Sequence, residues 1–127
     1  MPRQVFSPDP ERSLVGFSPA TRAGDTVYVS GQVALDEEGH LVGEGDCGAQ
    51  AGQVFRNVEA ALKAAGATMD DLTKITAFLV DVGDYQAYAA VRSDLFPKDG
   101  PASSTVIITE LVRPDFLIEI EAIAHTA

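Results

Sequence analysis

The residues from Ile118 to His125 alternate between two kinds of side chain, and this alternation constrains the fold more than any other feature of the sequence. Successive side chains of a β-strand point to opposite faces of the sheet. One face of this segment carries only apolar side chains, those of Ile118, Ile120, Ala122 and Ala124, and the other carries Glu119, Glu121, Ile123 and His125. The sequence therefore predicts a strand whose first face is buried beneath helices.

Two helices are predicted to form that covering layer. Asp46 is a suitable N-cap for the first, and Gly66 lies where its C-terminal cap is expected. A second helix is predicted to begin at a cap formed by Asp84 and to end before Pro97. In the first helix the apolar residues recur at helical spacing, at Ala51, Val54, Phe55, Val58, Ala61, Leu62 and Ala65, whereas Gln53, Arg56, Asn57 and Lys63 are assigned to the solvent side.

The remaining segments predict the other strands of the sheet. Residues 1–25 are expected to be irregular, and Asp36–Gly39 is read as a hairpin turn leading into His40–Val42. Strands are expected at 26–30, 75–80, 104–109 and 117–125. The predicted fold is a single α+β domain over residues 1–127, with a mixed sheet and two helices on one face. Apolar residues such as Phe78, Val80 and Ile123 on the other face predict self-association.

Composition limits the class of partner. The 127 residues include 19 acidic and 9 basic side chains, a formal net charge of −10, with 46% hydrophobic residues. This is the composition of a globular protein, and its negative charge disfavours binding to nucleic acid. In so negative a protein, a substrate with a carboxylate needs a specific cationic partner.

The single cysteine, Cys47, is interpreted as a small residue at a helix start and fits a reducing compartment. No apolar run of membrane-spanning length and no signal peptide is recognised, so a cytoplasmic protein is expected.

Four short motifs together resemble the Rid (reactive intermediate deaminase) family, also called the YjgF or endoribonuclease L-PSP family. They are Val29-Ser30-Gly31-Gln32, Ala64-Ala65-Gly66-Ala67, Pro101-Ala102-Ser103-Ser104-Thr105 and Ile118 to Ala124. The resemblance extends over roughly residues 14 to 124. It implies a chorismate-mutase-like fold, a homotrimer whose sheets close into a barrel, and a small-molecule cleft at each subunit boundary. It also implies hydrolysis of enamines and imines. No metal or other cofactor is expected, because no cluster of histidine, cysteine and carboxylate residues has metal-ligand spacing.

The family's functional residues can be carried over position by position. The resemblance implies that Glu119 positions or activates the attacking water, and that Ser30 and Gly31 contact the substrate. Phe17 stands where the family has a tyrosine, and Thr105 stands at a position that is often cysteine. Ser103 stands where deaminating members have the arginine that binds the substrate carboxylate.

Because residue 103 is a serine, the expected activity depends on whether another residue binds the substrate carboxylate. A charge-assisted bidentate arginine contact is worth on the order of 1.5–3 kcal/mol, and serine cannot replace its charge. Arg22, Arg92 or Arg113 is a candidate for compensating across a subunit boundary. The expected function is hydrolysis of imines, enamines or related carbonyl metabolites, with standard imino-acid deaminase activity reduced or absent. The alternatives are a binding or protective trimer without turnover and, less favoured, an endoribonuclease or translation inhibitor. A role for His125 stays open.

Overall fold

One six-stranded sheet with two helices on one face makes up the fold. The computed structural model describes residues 3–12 and 14–126. The strands are β1 (Gln4–Phe6), β2 (Ala20–Ala23), β3 (Thr26–Gln32), β4 (Leu72–Leu79), β5 (Ala102–Ile107) and β6 (Ile118–His125), and the helices are α1 (Cys47–Ala64) and α2 (Tyr85–Leu95). The strand order is β1-β2-β3-β6-β4-β5, and β4 and β5 run parallel while the other neighbours run antiparallel. The predicted fold class is confirmed.

The alternation in β6 has the predicted structural result. Ile118, Ile120, Ala122 and Ala124 are all buried, and Ile75, Ala77 and Leu79 of β4 lie beside them on the same face. The apolar stripe of α1 closes over them, since Ala51, Val54, Phe55, Val58, Ala61 and Leu62 are buried as well. Helix α2 adds Tyr88, whose ring stacks against Phe55 with 6.4 Å between centroids. The hydrophobic core therefore lies entirely between the helices and one sheet face.

The caps of the two helices differ. The Asp46 side chain accepts a hydrogen bond of 3.0 Å from the Ala49 amide, which confirms the predicted N-cap of α1. Gly66 follows the end of α1 with φ of +81°, a conformation that favours glycine. Asp84 occupies the N-cap position of α2 but makes no side-chain capping bond, so that capping prediction is wrong. Neither helix, nor any other helix in the described ranges, is long and apolar enough to cross a membrane.

The N-terminal third departs from the prediction. Residues 1–25 are not irregular throughout, because they contain β1 and β2, and β2 forms a hairpin with β3 through Gly24 and Asp25. These strands are only 3 and 4 residues long, too short for a period-two pattern to be recognised. His40–Val42 is not a strand: the turn forms, but it is closed by a single bridge between Leu35 and Leu41.

Two polar residues of α1 connect the helix to loops. Asn57, which is predicted to face solvent, instead donates hydrogen bonds of 2.8 Å to the carbonyls of Val33 and Leu35. Gln50 is fully buried: its amide nitrogen donates to the Asp115 carbonyl at 2.9 Å, and its oxygen accepts from the Leu117 amide at 2.9 Å. Gln50 thereby fixes the chain immediately before β6, and with it the register that carries Glu119.

Candidate functional site

Glu119 lies on the helix-free face of the sheet. Its cross-strand neighbour is Phe78, and the next pair on that face is Glu121 with Thr76. The side chains on this face are half-buried or exposed, unlike the fully buried residues that alternate with them. No described element of the same chain covers them. A shallow hollow of about 180 Å³ on this face is bordered by Tyr28, Lys74, Thr76, Glu121 and Ile123.

A β-bulge brings Gly31 under the carboxylate of Glu119. Val29 pairs with Ala122 and Gln32 pairs with Ile120, so Ser30 and Gly31 together oppose one residue of β6. A Cβ atom built on Gly31 would lie 2.8 Å from the Glu119 carboxyl carbon and closer still to one of its oxygens. The absence of a side chain at position 31 therefore lets the carboxylate lie where it does, because a Cβ atom would occupy the same space.

The electrostatic environment of Glu119 suits a proton acceptor. Burial raises the pKa of this carboxyl group, and the nearby charge of Glu121 raises it further. Among the described residues the Glu119 carboxylate has neither a hydrogen-bond donor nor a cationic partner within 4.0 Å. It is therefore a half-buried carboxylate whose oxygens are free to bind a water molecule or a ligand.

Ser30 connects the bulge to the loop that carries Phe17. Its hydroxyl donates a 2.6 Å hydrogen bond to the Ser18 carbonyl, and its amide donates one of 2.9 Å to the Pro19 carbonyl. The Phe17 ring is 59% exposed and borders a hollow of about 230 Å³ together with Phe6 and other N-terminal residues. Within this chain the Ser30 hydroxyl therefore positions the loop beside it, and Phe17 presents an aromatic surface to solvent.

Ser103 and Thr105 lie on the opposite face of the sheet from Glu119. In the parallel pairing of β4 with β5, Ser103 pairs with Ile75 and Thr105 pairs with Ala77. Paired residues on neighbouring strands share a face, and Ile75 and Ala77 face the helices. Ser104, between them, faces the other way and accepts a 2.7 Å hydrogen bond from Lys74. One chain thus brings Glu119, Gly31 and Ser30 together, but it does not bring Ser103 or Thr105 to them.

The three candidate arginines have different partners. Arg22 donates to the carbonyls of Gly24 and Ala65 at 2.8 and 2.9 Å and to the Thr126 hydroxyl, so its guanidinium connects β2 to the end of α1 and to the residue after β6. Arg113 forms a two-point ion pair with Asp115 at 3.0 and 2.6 Å. Arg92 on α2 approaches the Ser103 hydroxyl at 3.5 Å. Only the last of the three contacts a predicted site residue.

The neighbours that position these side chains come from distant parts of the sequence, and no local pattern predicts them. The contact between Arg92 and Ser103 joins a helix to a strand, and no spacing rule predicts it. His125 lies at the end of β6, exposed, with its ring 3.3 Å from the Thr26 hydroxyl, several residues away from Glu119. Within residues 3–12 and 14–126, no three histidine, cysteine or acidic side chains are grouped closely enough to hold a metal ion.

Comparison with known proteins gives one consistent result. Residues 9–126 match the family model described as endoribonuclease L-PSP. The chain is 39% identical over 126 residues to the 3-aminoacrylate deaminase RutC of Acinetobacter baylyi, covering 98% of this chain and 99% of RutC.

Solved structures agree with this result. The Rid-family protein YyfA of Yersinia pestis superposes with a TM-score of 0.88 at 30% identity, covering 98% of this chain and all of YyfA. The YjgF gene product of E. coli superposes with a TM-score of 0.85 at 29% identity, covering 97% and 98% of the two chains. The chain belongs to the endoribonuclease L-PSP family, known also as the YjgF or Rid family.

Proposed function

We propose that this chain is a cytoplasmic, homotrimeric hydrolase of small enamines and imines, with its active sites at the subunit boundaries. The observation that carries the proposal is the free, half-buried carboxylate of Glu119 held over Gly31. The similarity to a relative named as 3-aminoacrylate deaminase supports the reaction class. The net charge of −10 favours small metabolites over nucleic acid as the partner, and the single cysteine suits a reducing compartment.

The division of the site residues between two sheet faces supports the boundary location. Glu119 lies on the helix-free face and Ser103 on the helix-covered face, so one subunit alone cannot place both against one small ligand. Packing the exposed edge strand β5 of one subunit against the helix-free face of the next would bring the two sets together. The same packing would cover Ile123 and Phe78, which lie half-buried on that face.

Hydrolysis requires one water molecule and a group that accepts and returns its proton. The enamine first takes up a proton on carbon and becomes an iminium ion. Water adds to the iminium carbon while Glu119 accepts one of its protons, which gives a carbinolamine. Glu119 then returns this proton to the nitrogen. The carbon–nitrogen bond breaks as the hydroxyl group loses its proton, giving a carbonyl compound and ammonia and releasing the proton taken up in the first step. A carboxylate with a raised pKa is suited to both the acceptance and the return of this proton.

Ser103 determines how this activity differs from that of arginine-bearing family members. Residue 103 itself offers a substrate carboxylate a hydroxyl group and no charge, so a cationic contact can come only from another element, with a different geometry. We therefore propose reduced turnover of the standard α-imino acids and a shift in substrate preference among enamines, imines and related carbonyl compounds.

The proposal is tested by measuring ammonia release from enamines generated in solution, with the wild-type protein and with the Glu119→Gln variant. We expect turnover to fall by at least about 100-fold, because the amide cannot accept the proton. Glu121→Gln is the matched control, since it removes a carboxylate from the same strand face and should retain most of the activity. A wild-type protein that binds ligand without releasing ammonia would support the non-catalytic binding trimer instead.

A further inference from the structure

Arg92 is held beside Ser103 by two tyrosines of its own helix. Its guanidinium donates a 3.1 Å hydrogen bond to the Tyr85 hydroxyl and lies 5.7 Å from the centre of the Tyr85 ring. It lies 5.1 Å from the centre of the Tyr88 ring, which is fully buried. A half-buried guanidinium that rests on aromatic faces keeps a defined position with little loss of conformational freedom on binding.

The positive charge of Arg92 has no carboxylate partner among the residues that the structure describes. Of the ion pairs within 4.0 Å in the described part of the chain, one uses Arg22, one uses Arg113 and one uses His40, and none uses Arg92. This is notable in a chain with 19 acidic side chains and 9 basic ones. A guanidinium held in place without a counter-ion is suited to bind an anion from outside the chain.

The two hydroxyls next to Arg92 add donors for the same anion. The oxygens of Tyr85 and Ser103 each accept a hydrogen from the guanidinium, at 3.1 and 3.5 Å. A hydroxyl that accepts in this way still has its own hydrogen to donate. A carboxylate at this position is therefore offered a guanidinium and two hydroxyl groups. The small, exposed Ser103 leaves the space in front of the guanidinium open, whereas a long side chain there would fill it.

We propose that Arg92 is the carboxylate-binding residue of this protein, reaching from α2 over Ser103 to bind small 2-oxo acids and the enamines and imines derived from them. The inference rests on the proposed function for the reaction performed in the cleft, but the binding of an unreactive carboxylate tests it separately. Arg92 is a specificity-determining residue here, and Tyr85 is a positioning residue that acts through it.

Calorimetric titration with pyruvate tests the inference, with pyruvamide as the uncharged analogue. Arg92→Gln should weaken pyruvate binding by about 10- to 100-fold, because a charge-assisted contact is lost. Pyruvamide binding should change little. Arg113→Gln is the matched control: it removes the same charge, but from an arginine already paired with Asp115, and it should leave pyruvate binding nearly unchanged.

A rescue variant keeps the test decisive if Arg92→Gln perturbs the helix. Arg92→Gln combined with Ser103→Arg moves the guanidinium to the strand and should restore pyruvate binding. Equal pyruvate affinity of wild type and Arg92→Gln, or equal weakening by Arg113→Gln, would overturn the inference. The reaction is judged by separate results. If Glu119→Gln stops releasing ammonia but still binds pyruvate, the proposed reaction is supported. If the wild type binds pyruvate through Arg92 but releases no ammonia, the proposed reaction is contradicted and the role of Arg92 is not.

Discussion

The two faces of the sheet are built from the same strands but differ in what surrounds their side chains. On β6, Ile118 and Ile120 are fully buried under the helices, whereas Glu119 between them is half-buried and faces no other layer of the described chain. On β4 the fully buried Ala77 alternates in the same way with the half-buried Phe78. One face is closed by residues of its own chain, and the other is left with a mixture of apolar and ionisable side chains.

The two faces therefore have different roles, one in the stability of the fold and one in the proposed reaction. On β4 and β6 the helix-covered face supplies the buried apolar area that stabilises the fold, and its closely packed side chains there are not accessible to a ligand. The helix-free face contributes little to the core. It holds the Glu119 carboxylate, whose pKa is raised by burial and which has no partner among residues 3–12 and 14–126. Substitutions on the two faces should therefore have different kinds of effect, even at neighbouring positions.

The largest effect is expected from a charge on the apolar part of the helix-free face. Ile123→Asp should dissociate the proposed trimer and abolish turnover, because a buried unpaired carboxylate is costly at an interface. Light scattering should then give the mass of one 13.4 kDa subunit instead of three. Ile120→Ala on the covered face is the contrasting control, expected to lower the free energy of unfolding by about 2–5 kcal/mol without changing the mass. An Ile123→Asp variant that keeps the wild-type mass would show that this face is not the interface.

A smaller effect, confined to activity, is expected at the bulge. Gly31→Ala places a methyl group where the Glu119 carboxylate lies, and the end of a glutamate side chain can move away at little cost to stability. Turnover should fall by about 100-fold, as expected for a displacement of roughly 1 Å in a catalytic group. Thermal unfolding should change little. A variant with wild-type turnover would mean that the position of the carboxylate over Gly31 is not the reactive one.

The smallest effect concerns pH. Glu119 must be ionised to accept a proton, so turnover should decline as the pH falls through its raised pKa. Glu121→Gln removes the secondary cause of that raised pKa, and the acidic limb of the pH–rate profile should therefore move to lower pH. Burial, the larger cause, remains and limits the shift. An acidic limb that does not move, or that moves to higher pH, would exclude the Glu121 charge as a cause.

The sequence predicts the structural features that depend on a local repeat of residue types. The alternation around Glu119, the apolar stripe of α1 and the cap at Asp46 each follow from a pattern within a few residues. The strands β1 and β2 were missed because they are too short to show a pattern. The contact of Arg92 with Ser103 was not predictable because it depends on how α2 packs beside β5, which no repeat within either segment specifies.

The positions of the site residues on the sheet likewise depend on long-range contacts. Carrying over Glu119 and Ser103 by position did not show that they lie on opposite faces of the sheet, since this depends on the parity of β5 relative to β4. That parity is set by the long-range parallel pairing of the two strands. It is the reason why the proposed active site needs two subunits.

The central claim, that each site combines the helix-free face of one subunit with the β5 edge of another, is tested most directly by mixing two inactive variants. Glu119→Gln lacks the proton acceptor, and Ser103→Glu places a carboxylate beside Arg92 where the substrate would bind. Each alone should be inactive. After the subunits are exchanged, about one site in four should contain both intact partners, and turnover should recover to about that fraction of wild type. Mixed trimers, verified by native mass spectrometry, that release no ammonia would contradict the account.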